Sequence, residues 1–313
     1  MHDLIIIGGG PAGVSAAVYA ARKLIKSVLI TDEFGGQSTV SDDIQNWIGT
    51  PHISGADLAK SFEAHVREYA GSVITIKDKS FVKSVEKTER DGQTIFLTHV
   101  ESRNGEKVTY ESKAVLVGTG SKRRKLPAKG ADTFEHKGVT YCATCDGPLF
   151  TGMPVVVVGG GNAAFESALQ LAAYCSHVYI LNRTKTFRAD EVTVAVTTKK
   201  ENISIITDAV IDEVLGDKFV DRIIYTVGGR EKTELAVNGV FVEIGQLPNT
   251  DFVKGVVNMN EIGNIVVDPR NQRTSTLGLW AAGDCTDGLY HQNNIAAGDA
   301  VKALEDIYTH LQH

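Results

Sequence analysis

Cysteine is scarce in this 313-residue chain, which has four. That is too few for a disulfide-stapled secreted scaffold. No apolar run reaches the roughly 18 residues of a membrane-spanning helix. The N-terminus shows no basic stretch, long apolar segment or cleavage site of a secretory leader. A cytoplasmic protein with no membrane partner is therefore expected. There is no Gly-x-Ser-x-Gly elbow, no His-Glu-x-x-His and no phosphate-loop lysine. Acyl and phosphoryl transfer thus lack their usual signatures. An excess of positive charge is missing too: 32 basic against 38 acidic residues leave −6. That argues against a nucleic-acid partner, which calls for a basic field.

What is present is glycine placed between apolar runs. Leu4 to Ile7 is a fully apolar run of the kind that forms a central parallel strand. It enters Gly8-Gly9-Gly10-Pro11-Ala12-Gly13, then an Ala-rich helix over Val14 to Leu24 and a strand at Val28 to Ile30. This strand–turn–helix–strand order is the context a dinucleotide fingerprint needs. Gly8 allows the tight turn, Gly10 lets the backbone approach a pyrophosphate, and Gly13 lets helix and strand pack closely. Pro11 and Ala12 open the helix whose free N–H groups face the phosphates. Asp32 and Glu33 are the two candidates for holding ribose hydroxyls, with a solvated turn carboxylate as the competing reading for each. Gly35-Gly36-Gln37 and Asn46-Trp47-Ile48-Gly49 set glycines beside amides, which suits close approach to a flat, hydrogen-bonding ring.

Asp57 to Tyr69 has Leu58, Phe62 and Val66 at four-residue steps and reads as a core-packed helix. Val73 to Tyr110 alternates in β-type runs, with turns at Arg90-Asp91-Gly92 and Asn104-Gly105. Ala114 to Val117 is another apolar strand, ending in Gly118-Thr119-Gly120. Lys122 to Lys125 is a basic run, read as a solvated turn or as an attractor for an acidic partner or phosphate.

The fingerprint then recurs. Pro154 to Val158 leads into Gly159-Gly160-Gly161-Asn162-Ala163-Ala164, a helix through Phe165 to Tyr174 and a strand at Val178 to Leu181. Two such units imply two dinucleotide sites. After the second unit comes Asn182-Arg183-Thr184-Lys185-Thr186-Phe187-Arg188, with no acid and three cations. Cations here suit the 2′-phosphate of NADPH, whereas an acid would suit NADH. Three short β-type runs lie between Ile203 and Val227. Further strands are expected at Gly239 to Gly245 and Gly278 to Asp284, and a helix from about Asn294.

Between the fingerprints lies Cys142-Ala143-Thr144-Cys145-Asp146. Zinc needs four ligands, and Cys175 and Cys285 are isolated in sequence. An inert buried pair is a second reading. A redox dithiol is favoured over both, because C-x-x-C spacing permits a reducible ring and lowers one thiol's pKa. Asp146 is placed to move the exchange proton, or is simply an ordinary aspartate of an Asp-Gly-Pro turn.

On Gly8 to Gly13, Gly35-Gly36-Gln37, Cys142 to Gly147, Gly159 to Asn162 and Ala281-Ala282-Gly283-Asp284, the chain resembles the low-molecular-weight thioredoxin reductases. It is also similar to the flavoprotein subunit of alkyl hydroperoxide reductase. The resemblance implies an α/β protein of two Rossmann-like domains. Residues 1–113 and 247–313 would bind FAD, and the inserted residues 114–246 would bind the nicotinamide nucleotide and carry the dithiol. Gly36, Gln37, Asn46, Thr119, Gly120, Gly283, Asp284, His291 and Gln292 would join Gly8 to Gly13 around FAD. Gly159, Gly161, Asn162, Ala163, Arg183, Lys185 and Arg188 would hold NADPH, with NADH as the alternative. Cys145 would face the flavin, Cys142 would attack the substrate disulfide, and Asp146 would serve as acid–base. A homodimer and a rotating nicotinamide domain are implied as well.

The sequence departs from the reductase pattern at Asn182 and Thr184, where reductases carry His and Arg, and at His291, where they carry Arg. Gly138 to Tyr141, Gly147 to Phe150 and Cys285-Thr286 look more like the hydroperoxide reductase flavoprotein. That protein's fused thioredoxin-like modules do not precede the first strand here. A separate thioredoxin or glutaredoxin-like thiol protein is therefore the expected acceptor. The alternatives are an NADH-dependent peroxide-linked reductase, a flavin-bound redox sensor, and a reductase fed by a non-nicotinamide donor.

Overall fold

The computed structural model describes residues 1–41 and 43–312. The chain forms two compact units. Unit 1 is Met1–Lys122 with the segment from Leu247 onward, and unit 2 is Arg123–Gln246. The first crossing thus lies after the 113/114 boundary read from the sequence. Ala114 to Val117 does not start a new unit; it ends one continuous strand, Lys107–Val117.

Unit 1 is built on a mixed sheet ordered Ile74–Lys77, Ser27–Ile30, His2–Ile7, Lys107–Val117, Gln93–Ser102, Ser80–Arg90. Lys107–Val117 has two kinds of neighbour. Its polar half pairs antiparallel with Gln93–Ser102. Its apolar half pairs in parallel with His2–Ile7 on one edge and Leu279–Ala281 on the other. Alternation along the central strands feeds two cores. Leu4, Ile6, Leu29 and Leu116 pack under the helices, while Ile5, Ile7, Val28 and Val117 pack on the opposite face. Each such side chain removed from water contributes about 1.5–3 kcal/mol, which is why these runs carry no polar residue. The helix Pro11–Arg22 has Pro at its first position and buries Ala16, Ala17, Ala20 and Ala21. Its small side chains let the C-terminal helix Asn293–Leu311 come close through Ala296, Ala300 and Ala303. Ser80–Arg90 and Gln93–Ser102 are joined through Asp91 and Gly92, both at positive φ, as a two-residue hairpin requires.

Unit 2 has a five-stranded parallel sheet ordered Ile203–Thr207, His177–Asn182, Pro154–Val158, Gly239–Val242, Val139–Thr140. Strand order reverses between Pro154–Val158 and Gly239–Val242, so the crevice for a ligand lies at the carboxyl ends there. An antiparallel sheet of Ala209–Gly216, Val220–Val227 and Lys232–Ala236 accompanies it. The helix after the second glycine turn is Asn162–Leu171, earlier than the Phe165 to Tyr174 expected. Cys175 lies beyond it, buried ahead of His177–Asn182. A further helix, Glu191–Thr198, has no counterpart in the sequence reading.

Candidate active site

The first glycine turn separates packing glycines from an open one. A Cβ on Gly8 would lie 2.2 Å from Gly118 O, and one on Gly13 would lie 1.8 Å from Gly8 O. On Gly10 the nearest atom would be 4.0 Å away. Gly10 therefore faces space a ligand can fill, while Gly8 and Gly13 are fixed by the chain itself. That space is a cavity of about 760 Å³ within unit 1. It is lined by Gly8 to Ala12, Asp32, Glu33, Gly36, Gln37, Thr119, Gly120, Gly283 and Asp284 among others. Asp32 accepts a 2.6 Å ion-paired hydrogen bond from Arg103 Nε. Gln37 donates from Nε2 to Ser121 O, which fixes its amide at the cavity wall. Asn46, His291 and Gln292 are not in the lining. Asn46 Nδ2 donates to Gln292 Oε1 at 3.1 Å, and His291 Nε2 lies 3.0 Å from Gly288 O.

The lining also contains residues that the sequence reading did not single out. Ser38, Thr39, Ser80 to Lys83, Asn249 to Phe252 and Asn293 belong to it. Asn293 begins the C-terminal helix, and its Oδ1 accepts from Ser38 Oγ at 3.0 Å. Asn249 Nδ2 donates to Thr119 O at 3.1 Å, and Thr119 Oγ1 donates to Asn249 O at 2.6 Å. The Leu247-Pro248-Asn249-Thr250 turn chemistry was the available signal for this wall. Of the basic run, Lys122 lines the cavity. Lys125 is held by Glu135 at 2.8 Å and Asp132 at 3.4 Å.

Unit 2 repeats the glycine pattern. A Cβ on Gly159 would lie 2.3 Å from Glu243 O and one on Gly160 2.2 Å from Asn182 Oδ1, whereas Gly161 has nothing within 4 Å. Asn162 is engaged with the chain: its Nδ2 donates to Asp190 Oδ2 at 2.9 Å and its Oδ1 accepts from Asp190 N at 2.7 Å. Ala163 is exposed beside it at the helix start. Asn182 is buried and ties its own loop, donating to Thr184 O at 2.8 Å and Thr186 O at 2.9 Å. Arg183, Lys185 and Arg188 are exposed on that loop. Among the described residues none of the three has an acidic partner. Arg188 N donates to Gly160 O at 2.7 Å, which draws the end of the loop onto the glycine turn.

The cysteine pair lies in unit 2 as a disulfide with Cα atoms 5.3 Å apart. Cys142 precedes a four-residue helical turn, Ala143–Asp146, and its Sγ accepts from Cys145 N at 3.1 Å. Both cysteines are half-buried. Thr140 Oγ1 donates to Asp146 Oδ2 and so fixes that carboxyl. Among the described residues no cluster of three or more His, Cys, Asp or Glu could hold a metal ion. No helix there is long and apolar enough to cross a membrane.

Two glycine-turn cradles, each opening from a strand with parallel neighbours, and a cysteine disulfide in one unit define a nucleotide-linked disulfide oxidoreductase. The profile of the pyridine nucleotide-disulphide oxidoreductase family matches residues 2–300, and the chain belongs to that family. FAD and a nicotinamide dinucleotide are its cofactors. The open glycines Gly10 and Gly161 and the unit 1 cavity fit two extended dinucleotides. The chain is 39% identical over 311 residues to a protein named NADH dehydrogenase from Bacillus subtilis (strain 168), covering 99% of this chain and 58% of that one. It is 38% identical over 317 residues to the F subunit of alkyl hydroperoxide reductase from Escherichia coli (strain K12), again covering 99% and 58%. It thus spans somewhat more than half the length of these curated relatives. Among solved structures, thioredoxin reductase from Giardia duodenalis superposes with a TM-score of 0.90 at 32% identity, covering 100% of this chain and 99% of that one. Thioredoxin reductase from Streptococcus pyogenes MGAS5005 gives 0.88 at 31%, covering 100% and 98%.

Proposed function

We propose that the chain is an FAD-dependent reductase that passes electrons from NADPH through Cys142–Cys145 to the disulfide of a small thioredoxin-like protein. The observation that carries this reading is the cysteine disulfide, held in the same unit as a dinucleotide cradle. In this reading the unit 1 cavity holds FAD and the unit 2 cradle holds the nicotinamide nucleotide. Arg183, Lys185 and Arg188 supply positive charge for a 2′-phosphate. Bound FAD supplies two-electron chemistry between a hydride donor and a disulfide.

The chain's own residues do the rest. Two electrons and two protons convert the disulfide to two thiols. Cys142, whose sulfur accepts a backbone N–H, is the stabilised thiolate and the attacking group. Cys142 gives up its proton to Asp146, a Cys142–partner bond forms, the partner's S–S bond breaks, and the departing sulfur takes that proton from Asp146. Cys145 then gives up its own proton and attacks Cys142 Sγ, which restores the disulfide, and the second partner sulfur leaves with that proton. Thr140 keeps the Asp146 carboxyl oriented through this exchange. A homodimer is part of the same reading.

Anaerobic titrations with NADPH and with NADH, read by bleaching of flavin absorbance, test the donor. NADPH is expected to bleach at the lower concentration. Cys142→Ser should keep that bleaching and lose turnover of thioredoxin, and normal turnover by this variant would refute the proposed route. A second reading, an NADH-dependent reductase linked to peroxide removal, is favoured by the names of the curated relatives and by Thr184. Bleaching by NADH first, with turnover of a glutaredoxin-like acceptor, would decide for it.

A further inference from the structure

The mechanism above makes no use of Glu243, the residue that follows strand Gly239–Val242. Its backbone oxygen abuts Gly159, where a Cβ would come within 2.3 Å of it. Its Oε1 accepts a 2.9 Å hydrogen bond from Ser167 Oγ, on the helix that the second glycine turn opens. Oε2 has no such partner among the described residues. Sheet order fixes which end of a bound dinucleotide this place belongs to. In such a fold the adenosine ribose meets the end of the second strand and the pyrophosphate meets the helix N-terminus. The far end of the ligand then runs across the first strand to the other side of the switch point. In unit 2 the second strand is His177–Asn182, and the strand on the far side is Gly239–Val242. Glu243 therefore stands at the nicotinamide end.

We propose that Glu243 is a specificity-determining residue that distinguishes the redox state of the nicotinamide ring, its carboxylate favouring the cationic oxidised form over the neutral reduced form. The inference rests on reading unit 2 as the nicotinamide cradle. Loss of a hydride to the flavin leaves the ring with one positive charge, and a carboxylate at this place stabilises that charge. Burial pushes the Glu243 carboxyl up to about 7, against the downward pull of the Ser167 hydrogen bond and the Arg123 charge. Arg123 is the charged group that bears on it; Ser167 and the glycine turn are uncharged. The preference is therefore weak at pH 6, where the carboxyl is mostly neutral, and strong at pH 8, where it is mostly ionised.

The test is calorimetric titration of the full chain with FAD bound. The probes are NADP⁺ and its tetrahydronicotinamide analogue, which is neutral and has no hydride to give. NAD⁺ and its analogue are run in parallel, at pH 6 and pH 8. For the dinucleotide that binds, preference for the oxidised form should rise about tenfold between the two pH values. Glu243→Gln keeps an acceptor for Ser167 and should leave the preference flat. The wild-type profile needs no variant to be decisive: a flat profile overturns the inference, as does a Gln variant with the full pH dependence. Binding of a dinucleotide with a flat profile sinks Glu243 alone. Absence of binding by either dinucleotide sinks the nicotinamide reading of unit 2, and this inference with it.

Discussion

The four cysteine sulfurs occupy two kinds of surroundings. Cys142 and Cys145 are half-buried and joined, while Cys175 and Cys285 are buried and free. Burial raises both free thiols to about 11. Cys285 Sγ spends its weak donor on Ala282 O at 3.4 Å and Val117 O at 3.5 Å. At pH 8 only about one in a thousand of each would be thiolate, the form that reacts. Iodoacetamide should therefore leave the folded oxidised chain unlabelled, label Cys142 and Cys145 after mild reduction, and reach all four cysteines on unfolding. Mass spectrometry reads this directly, and native labelling at Cys175 or Cys285 would contradict it. Burial acts on Glu243 with a consequence for stability. Its carboxyl moves from an ordinary 4.5 to about 7 on folding. Below pH 4.5 both states hold the proton and nothing is lost. As pH rises toward 7 the unfolded chain releases its proton first, so ionisation favours unfolding. Above 7 the loss is complete, at most about 3 kcal/mol. Urea unfolding of Glu243→Gln should match wild type near pH 4.5 and exceed it at pH 8. Equal stability at pH 8 would count against the raised carboxyl.

Among the elements, the strand Leu279–Ala281 delivers Gly283 and Asp284 to the cavity wall, and the C-terminal helix anchors it. Asp306 on that helix accepts from the indole N–H of fully buried Trp280 at 2.9 Å and from Arg273 Nε at 2.5 Å. Asp306→Ala leaves the indole donor unpaired and should cost about 1–3 kcal/mol. Thermal unfolding of the FAD-bound chain should shift down by roughly 2–4 °C per kcal/mol, with Asp306→Asn intermediate. An unchanged midpoint for the Ala variant would remove the anchor from the account. The strand–turn–helix units were legible because their strands are buried on both faces and read as unbroken apolar runs. Lys107–Val117 was legible only in two pieces, a β-type run up to Tyr110 and an apolar strand from Ala114, because Glu111-Ser112-Lys113 interrupts the apolar pattern between them. Glu191–Thr198 was hidden by its valines and threonines, which favour strands in isolation. In the site, a short amide after a glycine turn reads alike whether it meets a ligand or its own chain, and Asn162 bonds to Asp190 of its own chain. Glu243 carried no signal, since only the fold buries a carboxyl at the end of an apolar strand.

At the scale of the whole molecule, the order of the chain matters as much as its final contacts. Unit 2 is continuous in sequence, whereas unit 1 is completed from both sides of it. The central strand Lys107–Val117 can gain His2–Ile7 early, but its other parallel neighbour, Leu279–Ala281, comes far later. Asp284 and Asn293, on the cavity wall, come later still. During synthesis on the ribosome, the insert is therefore complete while its host still lacks a strand and the closing helix. Until Leu279–Ala281 and Asn293–Leu311 emerge, the nascent protein has a finished second cradle and, in its other unit, an unpaired edge on the apolar half of Lys107–Val117. Asp284 and Asn293 are missing from the wall throughout this half-built interval, so the unit 1 cavity is completed only when it ends.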